Sequence, residues 1–171
     1  GKLVVTFKKV ETEDELNEVY KLRFKVYCQE RGFETETSYP NKRMQDEYDS
    51  YSMHFIAKSG NEPVGTSRLI INNPLGFPIE KCCNVNFLGN SMKKEQTAEI
   101  SRFAISKESI KSISCNRSEI VLGLIRGIYQ ESKNIGIDYY CALMGKGLPK
   151  LLSRCGIIFI QAGAMFDYHG L

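Results

Sequence analysis

Alternation opens the chain. From Lys2 to Lys9 the apolar residues Leu3, Val5 and Phe7 recur at every second position, which predicts a β-strand. The period then changes: Leu16, Val19, Tyr20, Arg23, Phe24, Tyr27 and Cys28 recur at spacings of three and four, one face of an α-helix. Thr12-Glu-Asp-Glu15 starts that helix as a capping box, with Thr12 as N-cap and Glu15 at N3, and Gly32 is its natural stop. Residues 34–50 are polar and turn-rich, with a loop at Tyr39-Pro40-Asn41. Strands at Met53–Lys58 and Val64–Ile71 follow, joined by the hairpin connection Ser59-Gly60-Asn61-Glu62. After the loop Asn72–Pro78, residues 79–96 read as irregular or short helix, and Thr97–Ile105 as a strand. Ser118–Lys133 reads as a helix with Ile120, Val121, Leu124 and Ile128 inward. Asp138–Met144 is predicted as a strand, Gly147–Arg154 as a short helix and Gly156–Gln161 as a last strand. This order predicts a mixed α/β sheet covered by helices, one domain over residues 1–171.

Several charges break the apolar pattern. Glu99 and Arg102 lie inside Thr97–Ile105, whose isoleucine, phenylalanine and threonine favour a buried strand. Arg23 falls on the apolar stripe of the first helix, and Arg68 shares a strand face with Val64, Thr66 and Ile70. An unpaired buried charge costs several kcal/mol, roughly, so each must meet a partner. Structural ion pairing satisfies that requirement, and so does a functional site. Asp46 and Asp49 fit either a solvated acidic turn or the same site. In a regular strand Glu99 and Arg102 point to opposite faces, so one site can use both only if a bulge intervenes near Ile100 or Ser101.

Composition narrows the classes. The chain is 42% hydrophobic and 25% charged, with a formal net charge of only +3, which gives a nucleic-acid binder no strong electrostatic support. No apolar run reaches the ~18 residues that span a bilayer, and the start lacks a signal-peptide layout. The cysteines at 28, 82, 83, 115, 141 and 155 form no C-x-x-C pair, and His54 and His169 are the only histidines. We therefore expect no metal site, reduced packed thiols and a cytoplasmic protein. A serine or cysteine nucleophile with a histidine base has little material here, and His54, in mid-strand, reads as packed. Glu99 is then the first choice for a general base. Gly145-Lys-Gly147 is a turn, and residues 106–122 contain no glycine, whereas a pyrophosphate cradle needs glycines for close backbone approach.

Taken together, the segments resemble the autoinducer-synthase branch of the acetyltransferase-like (GNAT) fold. The resemblance is to N-acyl amino acid synthases, of the long-chain N-acyltyrosine type, and to exosortase-associated acyltransferases. It rests on Leu22-Arg-Phe-Lys-Val-Tyr-Cys-Gln-Glu-Arg-Gly-Phe33, Asp46-Glu-Tyr-Asp49, Gly65-Thr-Ser-Arg-Leu69, Phe77-Pro-Ile-Glu-Lys81, Glu99-Ile-Ser-Arg-Phe103 and Tyr168-His-Gly170. It implies a central mixed, mostly antiparallel sheet flanked by helices. It also implies an acyl carrier protein thioester as donor, through acyl-phosphopantetheine, with no bound cofactor, and an amine as acceptor. By position, Glu99, Ser101 and Arg102 are implied as catalytic, and Arg23, Phe33, Asp46, Asp49, Arg68 and Phe103 as substrate-binding. Phe33 stands where lactone synthases usually have tryptophan, which favours an amino acid acceptor over S-adenosylmethionine, tyrosine first. Lys107, Lys111, Arg117, Lys150 and Arg154 are candidates for docking an acidic carrier protein, or plain solvated surface. Related chains often continue past the position of Gly170, so a further C-terminal piece is expected. An acyl-homoserine-lactone synthase, and a non-catalytic carrier-protein- or lipid-binding module, remain the alternatives.

Overall fold

The computed structural model describes residues 4–82, 93–161 and 163. Leu3, Cys83, His169 and the Tyr168-His-Gly170 segment lie outside the described residues. Val5–Lys9 forms β1, and Thr12 and Glu15 make the expected capping box on α1, Glu13–Phe24. The helix does not stop at Phe24. It widens into π-helical turns over Lys25–Glu30, sealed by the Arg31 N–H donating to Val26 O at 3.0 Å, and ends at Gly32, whose φ is 65°. The loop that follows carries short 3₁₀ turns at Glu36–Ser38 and Asp49–Tyr51.

Strands β2 (Ser52–Ser59) and β3 (Glu62–Ile70) form a hairpin, with Gly60 at φ 60° in its two-residue turn. A short helix α2, Pro78–Cys82, leads towards β4, Thr97–Ile105. Then come α3 (Lys107–Lys111), α4 (Arg117–Asn134), β5 (Tyr139–Ala142) and α5 (Gly147–Arg154). The sheet order is β1-β2-β3-β4-β5, antiparallel except for the parallel β4–β5 pair. A parallel pair needs a crossover, and α4 supplies it, started by a capping box between Asn116 and Glu119.

The two faces of the sheet differ in chemistry. One packs Phe55, Ala57, Leu69, Ala98, Ile100 and Ile105 against Ile120, Val121, Leu124 and Ile128 of α4. Gly65 belongs to this face because a Cβ there would lie 2.7 Å from Ile120 Cγ2. The other face lies under α1 and carries Thr66, Arg68, Ile70, His54 and Glu99. Val64, expected beside Arg68, joins the α4 side instead. A bulge causes this: Ala57 pairs with Gly65 and Lys58 with Pro63, so Val64 is the extra residue and the alternation slips.

Gly156–Gln161, expected as a strand, belongs to none. Its alternation is real, since Ile157 and Phe159 pack on the core while Ile158 and Ile160 are exposed. A strand also needs a hydrogen-bonded neighbour, and none among the described residues pairs with this segment. Among the described residues no helix is long and apolar enough to cross a membrane, and no His, Cys, Asp and Glu group could hold a metal ion. Cys28, Cys115, Cys141 and Cys155 are free thiols.

Candidate active site

The inward charges of α1, β3 and β4 converge on the loop between α1 and β2. Arg23 is 0% exposed; its Nη1 donates to Asp49 Oδ1 at 2.8 Å and its Nη2 to His54 Nδ1 at 3.0 Å. A guanidinium only donates, so His54 Nδ1 must accept, and the ring proton sits on Nε2, donating to Asp49 O at 3.2 Å. Burial and the neighbouring Arg23 push His54 down to about 4, so this neutral tautomer persists at neutral pH.

Arg68 is the hub. Its Nη1 donates to Asp46 Oδ1 at 2.6 Å and Asp49 Oδ1 at 2.9 Å, and its Nε to Ser101 Oγ at 3.0 Å. The two aspartates are locked by backbone as well: the Asp46 N–H donates to Asp49 Oδ2 at 2.8 Å and the Tyr48 N–H to Asp46 Oδ1 at 3.0 Å. Burial pushes both carboxyls up, but the guanidiniums outweigh it, Arg68 for Asp46 and Arg23 with Arg68 for Asp49, and both stay below their ordinary range. The Asp46–Asp49 spacing of three residues is thus a half-buried turn that presents two acids to three arginines, not a fully solvated one.

The bulge on which joint use of Glu99 and Arg102 depends is present, one residue beyond its expected place. Arg68 pairs with Ser101 and Thr66 with Ala104, so Arg102 and Phe103 together oppose Ser67. Arg102 sits at φ 52°, a left-handed conformation that costs about 1–3 kcal/mol in a non-glycine residue. The distortion turns its side chain onto the face already occupied by Ser101 and Glu99, where Nη2 donates to Asp46 Oδ2 at 3.2 Å and the guanidinium lies 5.5 Å from the Tyr27 ring centre. Glu99 and Arg102 do not pair with each other; Asp46 and Arg68 stand between them electrostatically.

Glu99 is 1% exposed and its Oε2 accepts the Ile79 N–H at 3.0 Å. Ile70 and Cys141 flank it on the adjacent strands and join Tyr48, Phe77 and Ile79 in an apolar cluster. Burial raises its carboxyl to about 7, against the pull of the Ile79 amide and Arg68, and with a push from Glu80 and Asp46. The same burial, beside Glu99, holds the Cys141 thiol up at about 12. A carboxyl near its midpoint at neutral pH is matched to proton transfer. Beside it the sheet opens: β5 pairs with β4 only over Thr97–Ile100, while β4 runs on to Ile105.

Seven of the sequence-derived residues are therefore in one place: Arg23, Asp46, Asp49, Arg68, Glu99, Ser101 and Arg102. Phe33 borders it, edge-on to Tyr27 with ring centres 6.0 Å apart. Phe103 does not join them. The bulge turns it towards the α4-side core, leaving its carbonyl to accept from Tyr27 Oη at 3.3 Å. Lys107, Lys111 and Arg117 are exposed on α3 and the start of α4, with Arg31 close to Arg117. Lys150 and Arg154 line a separate open hollow of about 450 Å³ on α5, with Pro149, Ser153, Ile158 and Phe159. Nothing in the pattern of side chains marks the Ile79 amide. Tyr27 could have been found, being four residues after Arg23 on the same helix face.

Comparison with known proteins bears on the family and the fold. The acetyltransferase (GNAT) domain family matches residues 22–114. No curated protein matches the sequence. Among solved structures, the AHL synthase LasI superposes with a TM-score of 0.74 at 20% identity, over 98% of this chain and 84% of that one. FeeM, an N-acyl amino acid synthase from uncultured soil microbes, gives 0.73 at 18% identity, over 98% and 84%. The CoA-dependent acyl-homoserine lactone synthase BjaI, with SAM and isopentyl-CoA, gives 0.68 at 18% identity, over 98% and 79%. The chain belongs to the acetyltransferase (GNAT) domain family, and it is an acyltransferase with the fold shared by autoinducer synthases and an N-acyl amino acid synthase.

Proposed function

We propose that this protein transfers a long-chain acyl group from an acyl carrier protein thioester to the α-amine of an amino acid, tyrosine first, in the cytoplasm. The observation that carries the reading is Glu99: a buried carboxyl poised near neutrality, beside a cationic network and next to the gap between β4 and β5. The amine attacks the thioester carbonyl, and Glu99 accepts the proton that the nitrogen sheds. The tetrahedral oxyanion is stabilised by backbone N–H groups of β4 on its β5 side, beyond Ile100, where no strand pairs among the described residues. Collapse forms the amide and releases the phosphopantetheine thiolate, which takes the proton back from Glu99.

The acceptor's carboxylate needs a cation, and of the three arginines exposure favours Arg102. Arg23 and Arg68 are buried, with Arg68's side chain 2% exposed, and each is already held by Asp49, whereas Arg102's side chain is 22% exposed and makes one ion pair. Arg23, Arg68 and Arg102 also face only two low-pKa carboxylates, Asp46 and Asp49, so an incoming anion completes the charge balance. Tyr27 beside Arg102, with Phe33 edge-on to Tyr27, suits an aromatic acceptor. The acidic carrier docks on Lys107, Lys111 and Arg117 or on Lys150 and Arg154.

The test is mass spectrometry of products from palmitoyl-acyl carrier protein or palmitoyl-coenzyme A, each with tyrosine or S-adenosylmethionine. N-Palmitoyltyrosine formed from the carrier supports the reading. A lactone product, or equal use of coenzyme A, overturns the acceptor or the donor respectively.

A further inference from the structure

The segment Phe77-Pro-Ile-Glu-Lys81 has entered the chemistry so far only through the Ile79 amide, yet it is tied down at several points. Asn73 folds its start, accepting from the Leu75 N–H at 2.9 Å and donating to Gly76 O at 3.0 Å. Gly76 turns at φ 75°, and a Cβ there would lie 2.5 Å from Glu80 Oε2. The glycine lets the Glu80 carboxylate fold back to accept the Phe77 N–H at 2.7 Å, while Lys94 holds its other oxygen at 3.1 Å. Lys81 ties the far end to Glu47 at 3.6 Å and lies over the Tyr48 ring. This bracing leads inward to one bond, from the Ile79 N–H to Glu99 Oε2 at 3.0 Å. At the second position of α2 that N–H has no partner within the helix.

We propose that the 77–82 turn is a positioning device for Glu99, whose Oε2 is held by the Ile79 amide so that Oε1 carries the proton exchanged with the substrate amine. The inference rests on Glu99 being the base of the reaction proposed above. An oxygen that accepts an N–H bond keeps the negative charge, so protonation falls on its twin. The charged and titratable groups facing Glu99 are Arg68 from β3, Asp46 from the loop before β2, Glu80 from α2 with its partner Lys94, and the Cys141 thiol from β5. Glu80 and the Ile79 amide thus act on Glu99 in opposite directions through one turn.

The probe is a backbone ester at position 79, the α-hydroxy acid of isoleucine, which deletes the N–H and keeps the side chain. Proline at 79 would also delete it but would push Pro78 out of the helical region. The Glu99 titration is read from the infrared C=O band of its protonated carboxyl, assigned by its loss in Glu99→Gln. The ester should raise the midpoint by about one pH unit, and the acid limb of the rate profile should follow. Ile79→Ala, which keeps the N–H, should leave the midpoint in place. Glu80→Gln, which keeps an oxygen for the Phe77 N–H but removes the charge, should lower it. An ester midpoint equal to that of the unmodified protein overturns the inference, whether or not amines are acylated. A shifted midpoint in a protein that acylates no amine leaves the device standing and removes the reaction instead.

Discussion

Asp49→Asn is the sharpest perturbation of the charged network. Asp49 Oδ1 receives Arg23 Nη1 at 2.8 Å and Arg68 Nη1 at 2.9 Å, while Oδ2 receives the Asp46 N–H at 2.8 Å. Every donor aimed at this side chain needs an oxygen, and asparagine has only one. Whichever way the amide is turned, its NH₂ faces a donor. Arg23, fully buried, would keep only His54 Nδ1 as an acceptor. Removing one member of a buried ion pair typically costs about 3–5 kcal/mol, and the loss here should lie towards the lower end because asparagine still makes one of the bonds. At roughly 2–4 °C per kcal/mol for a chain of this size, the melting temperature should fall by roughly 6–15 °C. Urea unfolding followed by circular dichroism measures the free energy directly. A loss below about 1 kcal/mol would mean that Asp49 is solvated, and the buried network would be wrong.

The same network makes stability depend on pH in a way that one substitution should unmask. His54 titrates near 4 when folded against 6.5 when free, so the unfolded chain binds more protons in that window and stability falls as pH falls from 6.5 to 4. Glu99, at about 7 against 4.5, has the opposite sign: its contribution is fully present below 4.5 and is lost as pH rises through 7. Each is worth about 3 kcal/mol over its window at 1.36 kcal/mol per unit, so between pH 4.5 and 6.5 they nearly cancel. Glu99→Gln should therefore lose up to about 3 kcal/mol between pH 6.5 and 4 relative to the parent; parallel stability curves would contradict this. Arg102→Gly should relieve the strain of φ 52° and lose one ion pair of 3.2 Å, leaving stability within about 1 kcal/mol. Steady-state kinetics should show acceptor KM rising at least tenfold, and an unchanged KM would remove Arg102 from acceptor binding.

What was legible in the sequence followed local rules. The Thr12–Glu15 cap, the β2–β3 hairpin and the α5 helix over Gly147–Arg154 depend on neighbouring residues, and each lies where the pattern puts it. The buried charge cluster was legible because arginines and carboxylates in apolar faces must pair, and Arg23, Arg68, Asp46 and Asp49 pair with one another. Bulges were harder. They arise from how two strands meet, so the turning of Phe103 and Val64 to the α4 side followed from pairing register, not from alternation. Residues 157–161 carry a strand's alternation without a strand's partner. The Ile79 amide belongs to the backbone and leaves no mark on side-chain chemistry.

The role of Glu99 is tested most directly by the turnover of Glu99→Gln with an acyl carrier protein thioester and an amino acid acceptor. Glutamine can still accept the Ile79 N–H, so the circular dichroism spectrum at pH 7.5 should match the parent. Without a base for the attacking amine, amide formation should fall by about 10²–10⁴-fold. Turnover within about threefold of the parent, in a folded protein, would contradict the assignment of Glu99.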